Sequence, residues 1–107
     1  MKLAGTWHIF EMEMWDEDYF NMEVQANIEI NSKGNGKVQF GLVSGYFDGE
    51  IINDGGVEKL DFTWEGNDEN DAVFGSGWIK MKEKDIIEGR IKFHMGDVSD
   101  FSAKRFK

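Results

Sequence analysis

A chain of 107 residues has room for one hydrophobic core, and 40% hydrophobic with 14% aromatic residues is too apolar for a disordered segment. The net charge of −9, with no stretch that clusters basic residues among aromatics, argues against nucleic acid and against an anionic membrane surface as partners. The absence of cysteine excludes disulfides, thiol catalysis and cysteine-ligated zinc.

In chain order, Leu3 to Glu13 reads as a first strand. Trp15, Tyr19 and Met22 then fall at i, i+4 and i+7, which predicts a turn or two of helix inside a long loop. From Glu23 to Asn31 the pattern is clearest. Val24, Ala26, Ile28 and Ile30 alternate with polar residues, the period of a strand with one buried face. Ser32-Lys33-Gly34-Asn35-Gly36 is a turn, and Val38, Phe40 and Leu42 return as the second arm of a hairpin. Ser44-Gly45 leads into a fourth strand, Tyr46 to Ile52, and Asn53-Asp54-Gly55-Gly56 is a strong turn. Glu58, Leu60, Phe62 and Trp64 mark one face of a fifth strand, and Phe74 to Lys82 is a sixth. Glu83-Lys84-Asp85 turns into a seventh, where Ile87, Gly89, Ile91 and Phe93 alternate with Glu88, Arg90, Lys92 and His94. Phe101, Ala103 and Arg105 give an eighth.

Eight short-connected strands with no crossover helix pair antiparallel. The expected fold is therefore all-β: residues 1–107 form a single domain, an eight-stranded up-and-down antiparallel barrel, with a sandwich as the alternative. No stretch reaches the ~18 apolar residues of a membrane span. The segment from Met1 to Trp7 has no apolar run of signal-peptide length, so a cytoplasmic protein is expected.

Gly5-Thr6-Trp7, opening the first strand, resembles the start of the calycin barrels (lipocalins, fatty-acid-binding proteins, avidins). The resemblance implies a lipocalin-like barrel in which Trp7 packs at the closed end under Arg105 of the last strand. A second resemblance is carried by the stretches from Phe62 to Asp71 and from His94 to Phe101, which look like a family of small bacterial proteins of unknown function. It implies no activity.

Strand direction sorts the loops into two ends. One end gathers Asp16, Glu17, Asp18, Asp68, Glu69, Asp71, Asp97 and Asp100; the other gathers Lys2, Lys33, Lys37, Lys82, Lys84, Lys104, Arg105 and Lys107. The barrel is expected to be polarised, with an acidic open mouth opposite the Trp7 end. Such a mouth suits a cation or a basic partner; polar loops that only keep the domain soluble are the plainer account. Asn67 to Asp71 superficially suggests a calcium loop, but Ala72 and Trp78 stand where an EF-hand needs glycine and glutamate. A looser oxygen-ligand site is the remaining metal reading, and no metal ligand is assigned.

His94 lies beside Asp97 and Ser99, which invites a catalytic triad, but Ser99 has no nucleophile-elbow setting. His8 is expected on the face opposite Trp7. Glu11 and Glu13 share the face of Trp7 and Ile9. Either they point inward as a polar lining for a ligand, or a bulge turns them out and puts Phe10 and Met12 inside. Asp48 and Glu50, in line with Tyr46, pose the same question. Trp7, Phe40, Phe62, Trp64, Phe93 and Phe101 fit inward faces and leave a small cavity. Trp15, Tyr19, Phe20, Phe47 and Trp78 are left for a lid or a homodimer face.

Three functions stand at this point. One is a non-enzymatic barrel that binds a small, cationic ligand at the acidic end, with candidate residues Glu11, Glu13, Trp15, Trp64, Asp68, Glu69, Asp71, His94 and Asp97. Another is a homodimeric interaction module with an exposed aromatic and acidic surface. The third is an enzyme using His94 with nearby acids, for which no catalytic residue and no cofactor is assigned.

Overall fold

The computed structural model describes residues 2–106. The chain forms a closed barrel of eight antiparallel strands in sequence order. They are β1 (Gly5–Met12), β2 (Asn27–Ile30), β3 (Gly36–Phe40), β4 (Val43–Asp54), β5 (Val57–Asp68), β6 (Asp71–Glu83), β7 (Ile86–Phe93) and β8 (Val98–Arg105). β8 pairs back onto β1, with Trp7 opposite Arg105, so the sheet closes on itself and the sandwich alternative is set aside. One short helix, α1 (Glu17–Phe20), lies in the β1–β2 loop.

The strands differ in length. β4, β5 and β6 have 12, 12 and 13 residues, whereas β2 and β3 have 4 and 5. One wall is therefore much taller than the other. Several boundaries depart from the sequence pattern. β2 starts at Asn27, because Asn21 Oδ1 accepts the Ala26 N–H at 2.8 Å and holds the preceding residues in a loop, leaving Val24 exposed. The turn into β4 is Gly41-Leu42, so Ser44-Gly45 lies within the strand. The segment Gly66 to Ala72, expected as a loop, continues the ladder with Asn67 opposite Ala72 and Asp68 opposite Asp71. Only Glu69 and Asn70 turn the chain there, Glu69 at a φ of 60°.

The interior is built from aromatic residues set directly across from glycines. Phe47 faces Gly36, Phe62 faces Gly77, Trp64 faces Gly75 and Phe101 faces Gly89. A Cβ on Gly77 would lie 2.5 Å from Phe62 Cζ, and one on Gly89 the same distance from Phe101 Cζ. Each ring thus lies over the bare backbone of its neighbour, which lets large side chains fill a narrow cylinder. Trp7, Ile9, Ile28, Phe40, Leu60, Ile79 and Ile87 complete the core. Phe20 and Phe47, which the sequence leaves unplaced, are both buried in it.

Overpacking follows from that geometry. Gly77→Ala is expected to lower unfolding stability by about 1–3 kcal/mol, since the new methyl would collide first with the Arg90 carbonyl oxygen on β7 and then with the Phe62 ring. Urea denaturation measures it, and an unchanged midpoint would mean that the β7 backbone and the Phe62 ring both give way without cost.

Candidate functional site

At the end marked by Gly5-Thr6-Trp7, the Trp7 indole is buried and its Nε1 donates to the Leu3 carbonyl at 2.9 Å. The Arg105 guanidinium lies over the ring, 4.2 Å from its centre. Its Nη1 donates to the Ala4 carbonyl (3.0 Å), Nη2 to the Lys2 carbonyl (2.8 Å) and Nε to Asp85 (3.2 Å). Gly5 has φ +134°, and a Cβ there would lie 2.7 Å from Arg105 Nη1. Glycine, tryptophan and arginine form one closure: the cation covers the indole face and ties down the N-terminal segment. This end is electrically mixed. The tall wall brings Asp54, Glu58, Glu83 and Asp85 to it, and the Lys2 backbone N–H donates to Glu58 Oε1 at 3.0 Å. The expected basic end is corrected accordingly. Lys37, moreover, sits on β3 against Glu29, and Lys107 lies outside the described residues.

The lumen is not lined by carboxylates. The β1–β8 register shifts between Ile9 and Glu11, which makes Phe10 an extra, bulged residue with 41% exposure. Met12 takes the inward position opposite Phe101, and Glu11 and Glu13 face solvent. The inward reading of the two glutamates is thereby overturned, and Asp48 and Glu50 face outward as well. What remains inside is a void of about 10 Å³ lined by apolar groups such as Ile9, Met12, Phe62 and Phe101. It is too small and too apolar for a bound ligand.

The opposite end is plugged. Asp16 caps α1, its Oδ1 accepting the Tyr19 N–H at 3.1 Å, and Phe20 is buried beneath the helix. Trp15 packs against Phe40 (5.2 Å between ring centres), Tyr19 (6.0 Å) and Phe93 (6.1 Å), while Trp64 meets Phe93 edge-on at 5.0 Å. Trp64 Nε1 donates to the Lys92 carbonyl at 3.1 Å. Trp15 and Trp64 are therefore brought together, but as a stopper. Around them the loops at 13–26, 69–70 and 94–97 hold Glu13, Asp16, Glu17, Asp18, Glu23, Glu69 and Asp97 with no lysine or arginine. Asp68 and Asp71 flank the β5–β6 turn, and Asp100 is drawn away to Arg90 at 2.7 Å, a bond that raises the arginine pKa above its ordinary value. Among the described residues no group of three acids or histidines is placed to hold a metal ion. The triad residues are engaged elsewhere: Ser99 is fully buried, its hydroxyl donating to the Asp100 carbonyl (2.9 Å) and accepting the Met14 N–H (3.1 Å). His94 instead stacks on Phe74, with ring centres 4.7 Å apart. At the other histidine, His8 stacks on Phe106 at 4.4 Å.

The surface feature that the sequence pattern did not single out is the outside of the tall wall. Lys37, Tyr46, Glu65 and Phe74 stand in register across β3 to β6, and the His94 N–H donates to the Phe74 carbonyl at the end of the row. Tyr46 is 72% and Phe74 55% exposed, with the Glu65 carboxylate between them. The next row is Asp48, Thr63, Ser76 and Lys92, whose two central side chains are small. Together the rows frame a groove of about 650 Å³. Further along, Trp78 is half-buried under Lys59 and Lys80, 5.3 and 5.5 Å from its ring. A smaller groove of about 380 Å³ runs between Trp78 and Glu11, Glu13 and Asp100. The signal for the wide groove was present in the sequence as Tyr46, Glu65 and Phe74 on polar faces, but their alignment depends on register across strands.

Comparison of the chain with protein-family models, with curated proteins and with solved structures yields no match.

The outward turn of the glutamates is open to measurement. Met12→Ala is expected to cost about 2–5 kcal/mol of stability, and Glu11→Gln to stay within about 0.5 kcal/mol. Comparable losses for the two variants would put Glu11 inside the barrel.

Proposed function

We propose that the protein is a non-enzymatic interaction module that works through the outside of its tall wall. The observation that carries this reading is Glu65 held in register between two exposed rings, Tyr46 and Phe74, over a groove of about 650 Å³, while the lumen is filled to a void of about 10 Å³. Exposed aromatics are costly on a surface that meets only water, and rings with a polar tip or neighbour are the usual anchors of interfaces. The barrel is, on this reading, of the calycin type. The support is Gly5, Trp7 and Arg105 acting as one closure, but the ligand cavity of such carriers is given up to packing.

A second reading takes the ligand to be a small organic cation. Glu65 with rings on both sides is a setting for an alkylammonium or guanidinium group, and the acidic loops nearby raise the local cation concentration.

Both readings can be measured on the purified chain and in cells producing it. A benzophenone amino acid placed at position 46 or 74 is expected to give protein adducts of defined mass on illumination. The same group at position 29, on the short wall, gives none. Equal yields from all three positions would remove the interaction reading. For the cation, titration with tetramethylammonium and with agmatine is expected to shift the amide resonances of Glu65, Phe74 and His94, and Glu65→Gln abolishes the effect. Unmoved resonances at millimolar ligand would remove that reading.

A further inference from the structure

Two adjacent rows on the outer face of the tall wall carry opposite charges at their two ends. Next after Tyr46 on β4 come the outward residues Asp48 and Glu50; in the same rows on β7 stand Lys92 and Arg90, and the row beyond them reverses, with Lys59 and Lys80 beside Glu88. Between them, on β5 and β6, stand Thr63 with Ser76 and Asp61 with Trp78. The register is continuous: Asp48, Thr63, Ser76 and Lys92 form one row, and Glu50, Asp61, Trp78 and Arg90 the next. Three strand spacings, about 14 Å measured along the curved sheet, separate the acidic side from the basic one. Among the described residues, Asp48, Glu50 and Lys92 form no ion pair, and Arg90 is held by Asp100 at 2.7 Å.

Resting on the interaction-module reading, we propose that the partner on this face is a second copy of the chain. The two barrels pack wall to wall around a two-fold axis that runs parallel to the strands between β5 and β6. That axis exchanges β4 with β7. Asp48 then meets Lys92 of the partner subunit, and Lys92 meets Asp48 of the partner subunit, so one contact is made twice, as an isologous interface requires. Tyr46 comes to the side occupied by the stacked Phe74 and His94 of the partner subunit, which covers the exposed rings. Thr63 and Ser76, being small, let the two walls approach along the axis. The charges on the outer strands β4 and β7 also select the axis, against the approach of Asp61 and Glu65 to their own copies about one strand spacing away across it. A two-fold axis perpendicular to the strands would set β4 against β4 and bring Asp48 and Glu50 against their own copies, a repulsive arrangement.

The charges supply the test. Native mass spectrometry and light scattering over a concentration series are expected to show a species of twice the monomer mass. Asp48→Lys alone and Lys92→Asp alone each weaken the association at least about tenfold, and the chain carrying both substitutions recovers it to within about threefold. Both positions are exposed strand residues, and circular dichroism of each variant checks that the barrel persists. A wild-type chain that stays monomeric at millimolar concentration overturns the proposal, and so does a double variant no tighter than the single ones. If the chain stays monomeric but the benzophenone at position 46 joins a different protein, self-association falls and the interaction-module reading stands. If position 46 gives no adduct beyond that at position 29, both fall.

Discussion

The rest of the structure depends on the pairing of aromatic rings with glycines across neighbouring strands. An eight-stranded cylinder is narrow, and a full ring of large inward side chains would overfill it. Setting Phe47 over Gly36, Phe62 over Gly77, Trp64 over Gly75 and Phe101 over Gly89 alternates bulk with bare backbone around the cylinder. The glycines weaken their strands individually, but each ring covers the backbone that its glycine leaves bare. The same arrangement removes the lumen as a binding site. A void of about 10 Å³ lined by hydrocarbon offers neither room nor polar partners.

Both ends are sealed, by different means. At one end a charged group is used: the Arg105 guanidinium covers the Trp7 face and takes the Ala4 and Lys2 carbonyls, which a hydrocarbon cap would leave unbonded. At the other, the helix brings Trp15, Tyr19 and Phe20 over Phe40 and Phe93. Gly41, at φ 57°, leaves space for the Tyr19 ring, and its N–H donates to the Phe20 carbonyl at 2.9 Å, so the turn and the helix are fitted to each other. With the inside filled and both ends shut, the outer face of the barrel is the surface left open to other molecules.

How legible this was in the sequence varies with the range of the interactions involved. Period-two alternation is local, so the eight strands and their barrel were readable from segments such as Val24 to Ile30 and Ile87 to Phe93. Boundaries were less so. Val24 continues the alternation, yet Asn21, three residues upstream, withdraws the Ala26 N–H from the sheet. The direction of Glu11 could not be read locally either, since the one extra residue at Phe10 is defined only against Ala103 and Ser102 on the far end of the chain. The outer rows depend on register among four strands, and no single segment contains it. Tyr46, Glu65 and Phe74 lie 28 residues apart from first to last, and only the ladder aligns them.

The two faces of the tall wall are under different constraints, and that difference bears on function. Inward positions are fixed by space: a methyl group on Gly77 or Gly89 already collides with a ring. Outward positions on β4 to β7 are not fixed in that way. Asp48, Glu50 and Lys92 touch no ion-pair partner among the described residues, and Tyr46 rests on no stack. Folding alone would be served as well by threonine, valine or isoleucine on those strands, which favour the pleated surface over aspartate and lysine. Closure by β1 and β8 has already removed the free edges that charges commonly protect. Asp48 and Glu50 on one strand, matched row for row with Lys92 and Arg90 three strands away, are thus unexplained by the barrel's own stability, and they find a physical use when something charged lies against the wall.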